Sequence, residues 1–256
     1  MKKILFLILI LFSYTFCIKA QEIVMQETAS LEQIYGDTEE SQNLLPMIDV
    51  GIEFGYVLYE AQITVESENA VLEVENVRDY AVVYIDSKVQ GTITDNRKKV
   101  TLTVPAGTYT LQLYVENIGR ITYGPEILDN SKGLFGSISL DNEGLEDWRI
   151  TPLNVKDCDI KDLVFTNNTT SQAPSFHRGY FEVNNPKNTY LDISGWGMGE
   201  VWINGEYMGS YWEDEKQQSI QVSAQSLVSG KNEVVVFELK NNEQKVMRLS
   251  DKPLFK

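Results

Sequence analysis

The sequence predicts an all-β protein made of two tandem jelly-roll-like antiparallel sandwiches. Three observations carry this. Short runs rich in Val, Ile and Tyr recur at roughly 8–12-residue spacing, separated by Gly, Asn and Asp. No long segment has helical periodicity. One hairpin-like stretch occurs twice: Val83-Tyr84-Ile85-Asp86 followed by Gly91, and Val201-Trp202-Ile203-Asn204 followed by Gly209, at an offset of 118 residues. The 256 residues are 43% hydrophobic and 11% aromatic, with 13 Tyr, which is enough apolar surface for two packed cores and a balance that favours strand.

The chain divides in order as follows. Residues 1–20 read as a signal peptide: Lys2 and Lys3, an apolar run from Ile4 to Phe12, then Ala20 before Gln21. The run is short for a membrane span. Cys17 admits a lipid anchor, but the bulky Tyr14, Thr15 and Phe16 before it favour cleavage near Ala20 and export to the periplasm or the exterior. Residues 21–46 are polar and acidic and read as a linker, with a short helix available to Thr28–Tyr35. Residues 47–155 form the expected first sandwich. Its strands start at Tyr56-Val57-Leu58-Tyr59 and Ile63-Thr64-Val65, and continue near 70–75, 81–86, 89–94, 99–104, 108–117 and 135–140. Residues 156–175, with Asn167-Asn168-Thr169-Thr170-Ser171, read as a connector. Residues 176–256 form the second sandwich, with strands near 176–183, 189–193, 200–204, 207–212, 217–222 and 233–239. Asp86 and Asn204 take the turn positions of the repeated hairpin, where their side chains can bond nearby backbone.

Charge and cysteine content narrow the chemistry. The net charge is −15, and loss of residues 1–20 removes Lys2, Lys3 and Lys19 but no acid, giving about −18. Such a surface repels phosphate backbones, so nucleic acid is not an expected partner. Only Cys158 remains beyond the leader, so no internal disulfide is expected. His177 is the single histidine; a Cys158–His177 nucleophile pair is weighed and set below a structural role for both. There is no zinc-type Cys/His spacing and no phosphate-cradling glycine loop, so no metal or cofactor is expected.

Several separate motifs carry a family resemblance. Ser194-Gly195-Trp196-Gly197-Met198-Gly199-Glu200-Val201-Trp202-Ile203-Asn204-Gly205, then Gly209-Ser210-Tyr211-Trp212, resembles the C-terminal sandwich of glycoside hydrolase family 35, the β-galactosidases. Phe176-His177-Arg178-Gly179-Tyr180-Phe181 resembles the strand that opens that galactose-binding-like domain. Gly55-Tyr56-Val57-Leu58-Tyr59, Val115-Glu116-Asn117-Ile118-Gly119-Arg120-Ile121-Thr122-Tyr123-Gly124, and Lys132-Gly133-Leu134 followed by Trp148 are similar to the family's first jelly roll. Ser210 and Ser87 depart from it, standing where the family usually has a basic residue and a glycine. The larger departure is the family's (β/α)₈ barrel, which holds two catalytic glutamates and needs on the order of 250 residues. Residues 21–46 cannot supply it.

The resemblance therefore implies a non-catalytic exported protein that binds galactose-containing glycans. The alternative is a remnant or split part of a β-galactosidase that needs a separate barrel partner. Glycoside hydrolysis requires two carboxyls about 5–5.5 Å or about 6.5–9.5 Å apart around an open cleft. The consecutive Glu213-Asp214-Glu215 read as solvated, and no catalytic residue is assigned. Sugar binding needs an aromatic face with amide, carboxylate or guanidinium partners. Trp196, Trp202, Tyr211 and Trp212 are the aromatic candidates, with Trp196 preferred because glycines flank it. Core packing is the plainer reading of each; Trp202 either faces solvent or packs against the neighbouring module. Asn204 and Asn117 can donate to hydroxyls or hold turns. Arg178 and Arg120 can pair with Glu116, Asp192 or a ligand carboxylate, with a salt bridge between modules the simpler outcome.

Overall fold

The computed structural model describes residues 21–117, 119, 124, 131–168, 174–240 and 244–256. The expected signal peptide, Arg120 and part of the connector lie outside the described residues. The chain folds as antiparallel sheets throughout, as the sequence predicts. No helix among the described residues is long and apolar enough to cross a membrane.

In chain order the strands are β1 (Glu22–Ser30), β2 (Glu39–Ser41), β3 (Gly55–Val65), β4 (Val71–Arg78), β5 (Tyr80–Ile85), β6 (Lys88–Thr94), β7 (Lys99–Thr101), β8 (Gly107–Asn117), β9 (Gly133–Leu140), β10 (Glu143–Gly144) and β11 (Trp148–Leu153). The second series is β12 (Ser175–Val183), β13 (Thr189–Asp192), β14 (Met198–Ile203), β15 (Glu206–Trp212), β16 (Ser219–Val222), β17 (Gly230–Glu238) and β18 (Val246–Ser250). A six-stranded sheet (β2-β11-β3-β8-β5-β6) packs on a four-stranded one (β10-β9-β4-β7) to make the first sandwich. The second sandwich is a single eight-stranded sheet, β15-β14-β17-β12-β1-β18-β13-β16, folded over on itself.

The fold turns at β1, and here the structure corrects the reading of residues 21–46 as a linker. Residues 25–30 of β1 pair with β12, while residues 22–24 pair with β18, with a bulge between Met25 and Glu27. A bulge bends a strand, which lets β1 carry the sheet from one face of the sandwich to the other. Ile23 and Met25 point into the core while Glu22, Val24 and Gln26 point out, an alternation hidden in a polar stretch. Ser30 then caps a 3-10 turn at Leu31–Ile34, accepting from the Glu32 N–H at 3.3 Å.

Period-two geometry explains why the central strands read as unbroken apolar runs. In β3, Val57, Tyr59, Ala61 and Ile63 face the first core while Tyr56 and Leu58 face the second module. In β5, Ala81, Val83 and Ile85 face inward and Tyr80, Val82 and Tyr84 outward. In β17, Val234 and Val236 enter the second core, and Val235 and Phe237 meet the tyrosines of the first module. The outer faces of the two sandwiches thus form a third core, with Tyr56 edge-on to Phe237 at 5.2 Å and the Tyr84 hydroxyl donating to the Leu239 carbonyl at 2.9 Å.

The repeat found in the sequence is real in the backbone. β5–β6 and β14–β15 are hairpins whose registers slip at equivalent places, between Val83 and Tyr84 and between Val201 and Trp202, with Val83 opposite Gly91 and Val201 opposite Gly209. Each turn needs two left-handed residues, Asp86-Ser87 (φ 50° and 61°) and Asn204-Gly205 (φ 53° and 83°).

Candidate functional site

The face shared by the two modules carries ionisable groups among its apolar ones. Glu116 lies on β8 opposite Tyr56 of β3 and Tyr80 of β5, and Glu200 follows Met198 on the facing side of β14. Both glutamates are buried, Glu200 completely. The Tyr56 hydroxyl lies 2.8 Å from Glu200 Oε1 and 3.2 Å from Glu116 Oε1. The Tyr207 hydroxyl donates to Glu200 Oε2 at 2.6 Å, and Lys156 Nζ stands 3.1 Å from Oε1. Burial, reinforced by the Glu200 carboxylate, pushes the Glu116 carboxyl up to about 7. Burial among the same acids holds the Tyr56 phenol well above its ordinary range, so it stays a donor.

The carboxyl oxygens nearest Tyr56 are therefore no more than about 6 Å apart, close enough to be weighed as a glycosidase pair. Spacing alone does not make a catalytic pair. The Tyr56 phenol lies against both carboxyls, and both Glu200 oxygens are already bonded. A third glutamate, Glu238, is also buried and is consumed structurally: the Gly197, Met198 and Lys240 amides and the Tyr211 hydroxyl donate to its carboxylate.

The aromatic residues expected to meet a sugar are mostly internal. Trp196, the preferred contact, is 1% exposed in the second core; its ring meets His177 edge-on and its N–H donates to the Val246 carbonyl at 3.1 Å. Its flanking glycines leave room for neighbouring side chains, since a Cβ at Gly197 would strike Glu238 and Lys240 and one at Gly195, where φ is 84°, would strike Gln244. Trp202 is buried between the modules against Phe176 and Tyr207. Tyr211 is buried, its hydroxyl 2.9 Å from the Phe237 carbonyl and 3.1 Å from Glu238 Oε2, although the residue also lines the cavity beside Trp212. These three place no ring face in solvent.

Asn204 holds its turn. It donates to the Ser226 carbonyl and Asn232 Oδ1 and accepts from the Glu233 N–H, each at 2.9 Å. Asn117 donates to the Glu53 carbonyl at 2.8 Å. Arg178 pairs with Glu27 at 2.7 Å and Glu233 at 3.7 Å, on the two strands flanking β12, and stacks on Phe165 at 3.9 Å. Its bond to Glu27 holds that carboxyl below the usual range. Cys158 donates to the Val155 carbonyl, and burial pushes its thiol up to about 11, which suits a packed residue and not a nucleophile. Among the described residues no group of three or more His, Cys, Asp or Glu side chains could hold a metal ion.

Trp212 stands apart. It is half-buried, edge-on to Tyr80 at 5.7 Å, and lines a cavity of about 460 Å³. The terminal strands of the folded sheet, β15 and β16, meet here without pairing, and the cavity occupies that opening. Met198, Ile193 and Ile220 give it an apolar floor; Ser210, Gln217 and Gln221 give it polar walls; Glu116 reaches it from the first module. Among the described residues, two buried side-chain polar atoms have no hydrogen-bond partner, Glu116 Oε2 and Trp212 Nε1, and both residues line this cavity. Sequence reasoning named Trp212 among four aromatics but passed over Glu116 as a ligand contact. The available signal was a charged residue inside the apolar run Leu113-Tyr114-Val115-Glu116.

Comparison with known proteins gives these features a family setting. Residues 45–154 match the family described as β-galactosidase, first all-beta domain, and residues 174–232 match the β-galactosidase galactose-binding domain. A β-galactosidase of Xanthomonas manihotis is 35% identical over 183 residues, covering 71% of this chain and 30% of that one. β-Galactosidase 17 of Arabidopsis thaliana is 31% identical over 256 residues, covering 86% and 37%. The Homo sapiens β-galactosidase-1-like protein 2 is 33% identical over 193 residues, covering 73% and 30%. The chain thus spans about a third of the length of these relatives.

Proposed function

Since the chain is built from two β-galactosidase domains, the first all-beta domain and the galactose-binding domain, we propose that it is an exported, non-catalytic β-galactosidase-type body that binds galactose-containing glycans. One observation carries the non-catalytic part. The close glutamate pair, Glu116 and Glu200, is capped by Tyr56, and Glu200 is wholly buried with Tyr56, Tyr207 and Lys156 on its oxygens. A glycosidic bond needs an open acid on each side, and this arrangement offers none. Galactoside recognition is supported by the galactose-binding-domain match and by a cavity that mixes apolar and polar walls. Export is supported by the Lys2-Lys3 start and the Ile4–Phe12 apolar run. Calorimetric titration of the protein lacking residues 1–20 with methyl β-galactoside, lactose and galactan fragments tests binding. Saturable heat with at least one is expected, and none with any would remove the binding reading.

A second reading rests on coverage. The relatives are about three times as long as the matched segment, so this body can be one part of an enzyme whose barrel is a separate chain. Ile48 and Phe54 are exposed on the loop entering β3, as a docking contact requires. Gel filtration separates the two: a well-behaved monomer that binds galactosides favours the stand-alone body, and association with a separately encoded barrel favours the split enzyme.

A further inference from the structure

We infer that the cavity between β15 and β16, closed on one side by Glu116 of the first module, is a saccharide site read by Trp212 and Glu116. The inference rests on the glycan-binding reading above and gives it an address. Three observations converge. The cavity, about 460 Å³, has the size of small-ligand pockets. Its floor is apolar (Met198, Ile193, Ile220) and its walls are polar (Ser210, Gln217, Gln221), which suits a ring that is greasy on one face and hydroxylated at its rim. It is also lined by both residues whose buried polar atoms lack partners, an N–H donor on Trp212 and a carboxyl oxygen on Glu116. Hydroxyl groups both donate and accept, so once the Trp212 ring shifts one polyol can satisfy the two together; an ammonium or a carboxylate alone cannot.

Glu116 is 3% exposed, and the unpartnered atoms are shut from solvent in this form. Reaching these two atoms from the cavity therefore requires a shift of the half-buried Trp212 ring, which stands on the edge strand β15. The exposed Glu215 on the cavity wall selects against anionic sugars. The ligand class is a neutral mono- or disaccharide, and uronic acids are excluded.

The test uses the protein lacking residues 1–20, titrated with methyl β-galactoside, lactose and galacturonate by calorimetry and tryptophan fluorescence. Trp148, Trp196 and Trp202 are buried, so a binding signal should come from Trp212 and vanish in Trp212→Phe. Neutral sugars should bind, galacturonate should not, and Trp212→Phe and Glu116→Gln should each weaken binding about ten-fold or more. Ser210→Trp, at an exposed position on the wall, should block the cavity without touching a buried group, and keeps the test open if Glu116→Gln does not fold. Wild-type binding that Trp212→Phe and Ser210→Trp both leave unchanged would overturn this site and leave the glycan-binding reading standing. No binding by the wild type would overturn both.

Discussion

Glu116 and His177 are buried ionisable residues with opposite requirements. Glu116 is raised from 4.5 to about 7 by burial and by Glu200. Between these values the unfolded chain has lost the proton that the folded chain keeps, so stability falls as pH rises, by on the order of 3 kcal/mol. His177 is lowered from 6.5 to about 4 by burial. Between those values the unfolded chain takes up a proton that the folded chain refuses, so stability falls as pH drops, again by on the order of 3 kcal/mol. The two windows overlap and their slopes oppose. Thermal melts from about pH 4.5 to about pH 8 should therefore show Glu116→Gln gaining on the wild type as pH rises and His177→Gln gaining as pH falls; profiles parallel to the wild type would refute the assignment. At this scale the sequence was least legible. Trp196 between glycines reads as an exposed loop ring, and only the fold reveals that Gly197 admits Glu238 and Lys240, and Gly195 admits Gln244, while the ring turns inward. Asn204 was readable as a turn former because its role is local.

At the scale of elements, most strands were legible because their apolar runs are short and bounded by turn residues. The exception is β1, where Ile23 and Met25 are the only large apolar residues on the buried face and the polar neighbours mask the alternation. A strand that joins both halves of the folded sheet should be indispensable. Deleting residues 21–30 removes the strand that joins β12 to β18, and is expected to abolish folding of the second sandwich, measured by loss of the cooperative near-ultraviolet melt; a folded second sandwich would contradict the topology. β14 and β17 make a sharper case. A Cβ at Gly199 would lie 1.8 Å from the Phe237 carbonyl oxygen, too close for any rotamer to relieve. Gly199→Ala should cost several kcal/mol, beyond the usual range of about 0.5–3 kcal/mol for single substitutions, and denaturant titration at fixed pH measures it. Asn204→Ala removes a donor and acceptor bound on three sides and should cost about 1–3 kcal/mol by the same titration.

The whole molecule is three apolar cores in a stack: one inside each sandwich and one between them. The continuous runs Tyr80–Ile85 and Val234–Phe237 announced burial on both faces, yet nothing in the sequence says which face meets the other module. That required the fold. With Tyr56, Tyr84, Trp202 and Phe237 between them, the modules are expected to unfold together, and Phe237→Ala should cost about 3–5 kcal/mol while keeping one transition. Two separated transitions in the wild type would contradict a shared core. The same contact surface is what closes the Glu116–Glu200 pair, so the proposed lack of glycosidase activity belongs to the assembled body and not to either module. Incubation of the purified chain with nitrophenyl β-galactoside tests this most directly. The account predicts release of nitrophenol no faster than the buffer blank, for the wild type and for Glu116→Gln and Glu200→Gln alike. Turnover by the wild type that either substitution abolishes would contradict it.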